Sequence, residues 1–264
     1  ADQKTMHALA LALIAHVGVS PAPRAAHPTS MSSVVQIDIV SDDATMKEAA
    51  RFFAGAFWGA DLTGAQAAKL EAAHSADFDT RYGTLVGKRR FPSALFIAHD
   101  GDSIVGCAGL EMTVVDPETQ AVWDRPMAEE TVAQFLSALG GRKRGEYRKA
   151  SLEEIGAAFL ERKLVVPVMS NLAVDKARRG LGLGKRLVAA CDEVARGGDG
   201  WCGSSMWLLV EEQNTNAVGF YKKLGFEEVW CAESASATRV VTTEGGAVEL
   251  TTSSVPTLAM AKAL

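Results

Sequence analysis

From Arg179 to Gly184 the chain reads Arg-Gly-Leu-Gly-Leu-Gly, three glycines alternating with leucines behind a pair of arginines, and an amphipathic segment follows. Small residues let backbone amides approach an anion closely, and a helix beginning here adds about half a positive charge to donors without partners. Arg179 supplies further positive charge. The pattern suits a phosphate or pyrophosphate, although a plain tight turn would use the same glycines. Two familiar phosphate motifs do not fit. A dinucleotide fingerprint needs glycine where Lys185 stands, and a P-loop needs serine or threonine at Arg186 and glycine at Arg179.

A second group of residues lies downstream, in "NTNAVGFYKKLGF" from Asn214 to Phe226. Helical spacing puts Ala217, Phe220, Tyr221 and Leu224 on one face, and Gly225 ends the helix. Asn214 can cap it. Tyr221 has a hydroxyl that can act as an acid, or a ring that only fills core.

These groups need elements to hold them. Alternating apolar and polar residues predict a strand over Ser33 to Val40, and a helix capped by Asp42 or Asp43 follows, with Met46, Ala49, Ala50, Phe53 and Phe57 on one face. A weaker helix is expected over Gly64 to His74. Leu95 to Val115 reads as a hairpin turning at Asp100-Gly101-Asp102. Asp116 to Lys163 breaks the alternation with helical patterns near Ala128 to Leu139 and Leu152 to Leu164, an elaboration or a lid. Strand character returns at Val168 to Val174, beyond Pro167. Then come the glycine turn, a helix buried through Leu183, Leu187, Val188, Cys191, Val194 and Ala195, a strand at Met206 to Val210, the second helix, and strands to Leu264 with a turn at Glu244-Gly245-Gly246.

With both motifs and their order in place, the sequence resembles the GCN5-related N-acetyltransferases (GNATs). Arg179 to Gly184 matches that family's R-x-x-G-x-G loop, and Asn214, Ala217, Phe220, Tyr221, Gly225 and Phe226 match its N-x-x-A-x-x-[FL]-Y-x-x-x-G-F helix. "SNLAV…RRGLGLG…LLVEEQN" looks most like the plastid-type protein acetyltransferases. The resemblance implies an α/β fold, a mixed, V-split sheet flanked by helices, with a helical insertion between the third and fourth strands. It implies acetyl-CoA as cosubstrate in the split, its pantetheine pairing with backbone at Leu172, Ala173 and Val174 as an added strand does. The pyrophosphate would sit on Arg179, Gly180, Leu181, Gly182, Leu183 and Gly184. Asn214 and Ala217 would contact the cosubstrate, and Tyr221 would protonate the departing thiolate. No base is singled out: Leu209 and Val168 occupy positions where a titratable group could help, and Ser170, Glu111, Glu211 or a water remain open. Without a base a protein N-terminal α-amine is the easier acceptor, since its reference pKa of about 8 lies far below lysine's 10.4. A small-molecule amine acetyltransferase and a noncatalytic acetyl-CoA-binding regulator are the alternatives.

Composition bounds the rest. The 264 residues are 48% apolar with net charge −5, enough chain for a substantial core and too acidic for nucleic acid as the main partner. Outside "GRKRGEYRK" the basic residues are scattered. The four cysteines show no metal or redox spacing, so no metal is expected. Residues 1–32 lack acids from Met6 onward, carry a short apolar run from Ala8 to Val19, and then Pro21, Pro23 and Pro28. That suits a targeting presequence, to a plastid by the resemblance, or an extension of a cytoplasmic protein. The run is too short to cross a bilayer, and no membrane span is expected elsewhere. Residues 33–264 are expected to form the catalytic domain.

Overall fold

A computed structural model describes residues 35–58, 64–83, 91–197, 200–242 and 248–264. The presequence reading of residues 1–32 and the turn expected at Glu244-Gly245-Gly246 lie outside them. The chain runs β1 (Gln36–Ile39), α1 (Asp43–Trp58), α2 (Gly64–Tyr82), β2 (Ser93–Asp100), β3 (Ser103–Asp116), β4 (Ala121–Val122), α3 (Arg125–Ala138), α4 (Gly141–Glu146), α5 (Leu152–Phe159), β5 (Leu164–Val174), α6 (Leu183–Gly197), β6 (Ser205–Glu211), α7 (Thr215–Lys223), β7 (Glu227–Thr242) and β8 (Val248–Ala263). The main strands lie in the order β1-β2-β3-β5-β6-β8-β7, with β4 paired to β3. This is the mixed α/β sheet flanked by helices that the sequence leads one to expect.

Each helix is fixed by where its apolar stripe goes. Asp42 caps α1, its carboxylate accepting from the Thr45 amide at 2.9 Å. Met46, Ala49, Ala50 and Phe53 then pack with Phe78 and Tyr82 of α2 on Leu95, Ile97 and Cys107. Helix α2 runs past the expected end at His74 because Leu70, His74, Phe78 and Tyr82 continue one buried stripe. On the other face of the sheet α6 and α7 bury Leu187, Val188, Cys191 and Val218 against Ala108, Leu110, Met169 and Leu208.

The segment between β3 and β5, read from the sequence as an elaboration or a lid, is packed into the body of the fold. Ala128, Val132, Leu136, Leu152 and Ile155 share a core with Phe91, Met112 and Val114. Its two ends are tied by Lys163 to Asp116 at 3.3 Å. Arg125, 1% exposed, donates to the carbonyls of Phe91 and Thr80 and to the Ser93 hydroxyl at 3.3, 3.0 and 2.9 Å. It thereby fastens α3 to the last turn of α2 and to β2.

Strand β5 begins before Pro167, contrary to the expectation that proline marks its start. Pro167 faces Met112, whose own amide bonds to Pro92 on the other side, so the missing N–H points away from β3. Strand β6 joins only at Val168, so no ladder bond is lost there.

Candidate active site

Strands β5 and β6 are the one parallel pair among the described strands, and they pair only at Val168↔Trp207 and Met169↔Leu208. Beyond those rungs β5 keeps β3 as far as Val174↔Gly106, and β6 keeps β8 as far as Glu211↔Thr257. The two strands therefore part company and leave the inner edges of Ser170 to Val174 and of Leu209 to Glu211 without each other. Asn171 causes part of this: its φ of 53° makes a bulge opposite Ala108, between Cys107 and Gly109.

The split opens onto a cleft of about 500 Å³. Its floor and walls are Leu172 and Val174 of β5, the loop residues Arg178, Arg179, Gly180 and Gly182, the start of α6, and one face of α7. Gly180 and Gly182 sit at φ of 79° and 82°, where a side chain is strained, so the turn that presents the loop amides requires both. Gly184 differs: a Cβ there would press on the Phe220 ring at 3.3 Å, so the ring would have to shift by a few tenths of an ångström. The first turn of α6 carries no acid. Arg178, Arg179, Lys185 and Lys223 bring four cations to a lining without a carboxylate. Such a surface favours an anion.

The cations differ in role. Arg179 donates to the carbonyls of Val174 and Ala56 at 3.1 and 3.2 Å, which ties β5 to α1. Arg178 pairs with Asp100. Among the described residues neither Lys185 nor Lys223 has a carboxylate partner, so their charge faces the cleft.

Of the residues read from the sequence, Leu172, Val174, Arg179, Gly180, Gly182, Leu183 and Gly184 line this cleft, and the others do not. Ala173 packs on the α1 side of the sheet. Leu181 is 71% exposed. Asn214 caps α7, accepting from the Ala217 amide at 3.1 Å, and Ala217 is core. Tyr221 is fully buried against Phe220 and Phe226 at ring distances of 5.3 and 5.7 Å. Its hydroxyl has no hydrogen-bond partner among the described residues, and burial, followed by the nearby Cys191, drives its pKa well above the ordinary phenol value. The cleft face of α7 is Thr215, Asn216, Gly219, Phe220 and Lys223, which shares only Phe220 with the motif stripe. Sequence reasoning missed the other four. The clue was available in Gly219, which leaves that face open, and in Lys223, two turns on from Thr215.

A second polar group lies on the opposite face of the sheet. Tyr82 presses its hydroxyl where a Cβ of Gly109 would be, at 1.9 Å. That hydroxyl bonds to the Ser170 hydroxyl and receives the Asn171 side-chain amide, each at 2.8 Å. Next to it Arg81 bonds Asp77 at 3.0 Å and pairs with Glu111. Burial pushes the Glu111 carboxyl up to about 7, outweighing Arg81, while Asp77 and Asp124 add to the rise. Asp77 Oδ2, Glu111 Oε2 and Asn171 Oδ1 are buried acceptors without partners among the described residues.

Comparison with known proteins agrees with this geometry. The family model described as "Acetyltransferase (GNAT) domain" matches residues 148–228, which take in β5, the glycine loop, α6, β6 and α7. The peptidyl-lysine N-acetyltransferase YjaB of Salmonella typhimurium is 36% identical over 124 residues, 40% of this chain and 73% of that protein. Among solved structures, the ribosomal-protein-S18-alanine N-acetyltransferase of Escherichia coli is 15% identical, with a TM-score of 0.45 over 87% of this chain and 94% of the other. The yncA structure from Salmonella typhimurium, with its cofactor acetyl-CoA, is 16% identical, with a TM-score of 0.41 over 88% and 95%. A split sheet, a cationic glycine loop at its mouth, and a relative matched over most of its length lead to one conclusion: the chain belongs to the GNAT acetyltransferases and is an acetyl-CoA-dependent N-acetyltransferase.

Proposed function

We propose that this enzyme acetylates a primary amine of a protein, either a lysine side chain or an N-terminal α-amine. The observation that carries the reading is the glycine-lined cleft with Lys185 and Lys223 at the mouth of the β5–β6 split. Acetyl-CoA would rest its pyrophosphate on the amides of Gly180 to Gly184 and extend its pantetheine along the free edge of Leu172 to Val174. The residues fit such a guest, because the lining is cationic and its glycines present backbone amides; the Tyr221 hydroxyl, buried outside that lining, is a donor without an acceptor among the described residues. Bound there, acetyl-CoA supplies an activated acyl thioester. In this reading the Tyr221 hydroxyl donates its proton to the sulfur as the C–S bond breaks. The named YjaB relative acts on peptidyl lysine, which favours the ε-amine.

The test is turnover with acetyl-CoA and a peptide library, with α- and ε-acetylation scored separately by mass spectrometry. Acetylation of free small amines in preference to every peptide would overturn the protein acceptor. Acetyl-CoA binding without transfer would leave a regulator. The plastid destination is what the resemblance of the motif segments implies, with residues 1–32 as the presequence that would carry it. We propose it as their role, to be tested by whether those residues carry a fused reporter into the organelle.

A further inference from the structure

We infer that Glu111 is the group that takes the proton from the acceptor amine, received where α2 meets the bulge of β5. The inference rests on the amine-transfer reading above and adds the base that the sequence leaves open. Glu111 stands opposite Val168, the first of the two β5 residues that pair with β6, and the strands separate beyond the second, Met169. Gly109 stands opposite Ser170, so Glu111, Val168 and Ser170 share the face on which Tyr82 packs. Diagonal neighbours of this kind lie about 7 Å apart. An amine nitrogen placed between them is within reach of both side chains.

The polar groups here are arranged for a cationic donor. Arg81 occupies one oxygen of Glu111 and leaves the other, Oε2, without a partner. Asn171 spends its side-chain N–H on Tyr82 and leaves Oδ1 without one. Both residues are nearly or fully buried, at 2% and 0% exposure, and buried acceptors of this kind are seldom left unmet. Ser170, half-buried, carries the network to the edge of the split. An ammonium group brings the donors that these oxygens lack.

The reaction balances as follows. One proton of the bound ammonium passes to Glu111 Oε2, the freed nitrogen lone pair forms the N–C bond to the acetyl carbonyl carbon, and the remaining surplus N–H proton goes to the phenolate that Tyr221 becomes when it protonates the sulfur. The C–S bond breaks with its electron pair on sulfur, which takes the Tyr221 proton. A base is most useful when its pKa lies near the working pH, and burial holds Glu111 there, at about 7. The groups around it are Arg81, Asp77 and Tyr82 from α2 and Asp124 at the start of α3; β5 contributes no charge. A lysine of reference pKa 10.4 depends on such help far more than an α-amine of about 8.

The experiment compares wild type and Glu111→Gln at pH 8.5 with a lysine peptide and with an acceptor presenting only an α-amine, and records the wild-type pH profile with lysine. Expected is a loss of 10²- to 10³-fold in kcat for lysine, less than tenfold for the α-amine, and an unchanged KM for acetyl-CoA. The wild-type rate should rise through a limb near pH 7 that Glu111→Gln lacks. Equal loss for both amines would reduce Glu111 to a structural role, and a folded variant within threefold of wild type on lysine would overturn the inference. If the variant does not fold, the wild-type profile decides, and no limb near 7 overturns it. Wild type that binds acetyl-CoA and acetylates neither amine refutes the amine-transfer reading itself.

Discussion

The two faces of the sheet beside the β5–β6 split are built from opposite materials. On the α6–α7 side the cleft is open, lined by glycines, arginines and lysines together with apolar Leu172, Val174 and Phe220. On the α2 side Tyr82, Glu111 and Asn171 are buried within 8% exposure, and the cluster consists of carboxylates, hydroxyls and an amide with acceptors to spare. The first arrangement holds a large anion by many weak contacts and can tolerate water. The second holds a proton in a low-dielectric place, where one charge shifts a pKa by units.

The sharpest way to break the cleft side is at its backbone. Gly182 has φ of 82° and open space where a Cβ would stand, with no atom within 4 Å, so its requirement is conformational and not steric. Gly182→Val is expected to turn the loop amides away and weaken acetyl-CoA binding about 10³-fold by calorimetry, since a β-branched residue is a genuine outlier there. Wild-type affinity in this variant would remove the anion site from the loop.

The other face is tested by pH. Glu111 has a folded pKa near 7 against 4.5 when exposed, so the folded state holds a proton that the unfolded state releases between those values. Stability should therefore fall as pH rises from about 4.5 to about 7, by at most about 3 kcal/mol, and level off above. Denaturant melts of Glu111→Gln should show a flatter curve over that window. A wild-type curve that rises through the same window would mean that Arg81 wins over burial.

How far these faces could be foreseen differs in the same way. The glycine loop was legible because its chemistry is local: consecutive residues set the turn, the charges and the helix start. The α7 motif was legible as a motif, but Asn214, Ala217 and Tyr221 mark the packed stripe, and periodicity alone does not say which neighbouring face borders a cleft. The α2-side cluster left little local signal. Tyr82, Glu111 and Asn171 are far apart in sequence and meet only through the β3–β5 register, and a positive φ at Asn171 is not encoded by its neighbours. Pro167 misled because the local rule against proline in strands yields where β5 has no partner on that edge.

Tyr221 is buried in the core on the α6–α7 side, and the fold makes an unusual demand of it. A buried hydroxyl without a partner costs about 1–3 kcal/mol. Tyr221→Phe removes that cost and keeps the ring contacts with Phe220 and Phe226. The variant should melt higher than wild type while kcat falls about 10²-fold, with acetyl-CoA affinity largely kept. A rise in melting temperature with unchanged turnover would make Tyr221 core only.

The smallest effect separates adjacent residues. Lys185 and Arg186 both follow the glycine loop on α6, yet Lys185 borders the cleft while Arg186 donates to the Val35 carbonyl at 2.6 Å. If the cleft holds an anion by point charges at its rim, Lys185→Ala should weaken acetyl-CoA about fivefold in low salt, and less as salt screens the exposed charge. Arg186→Ala should leave affinity within twofold at every salt concentration. The pair shares sequence position, net charge change and helix, so a difference between them reports only direction. Equal, salt-dependent losses would show that the anion feels the whole basic end of α6 and not the side that faces the split.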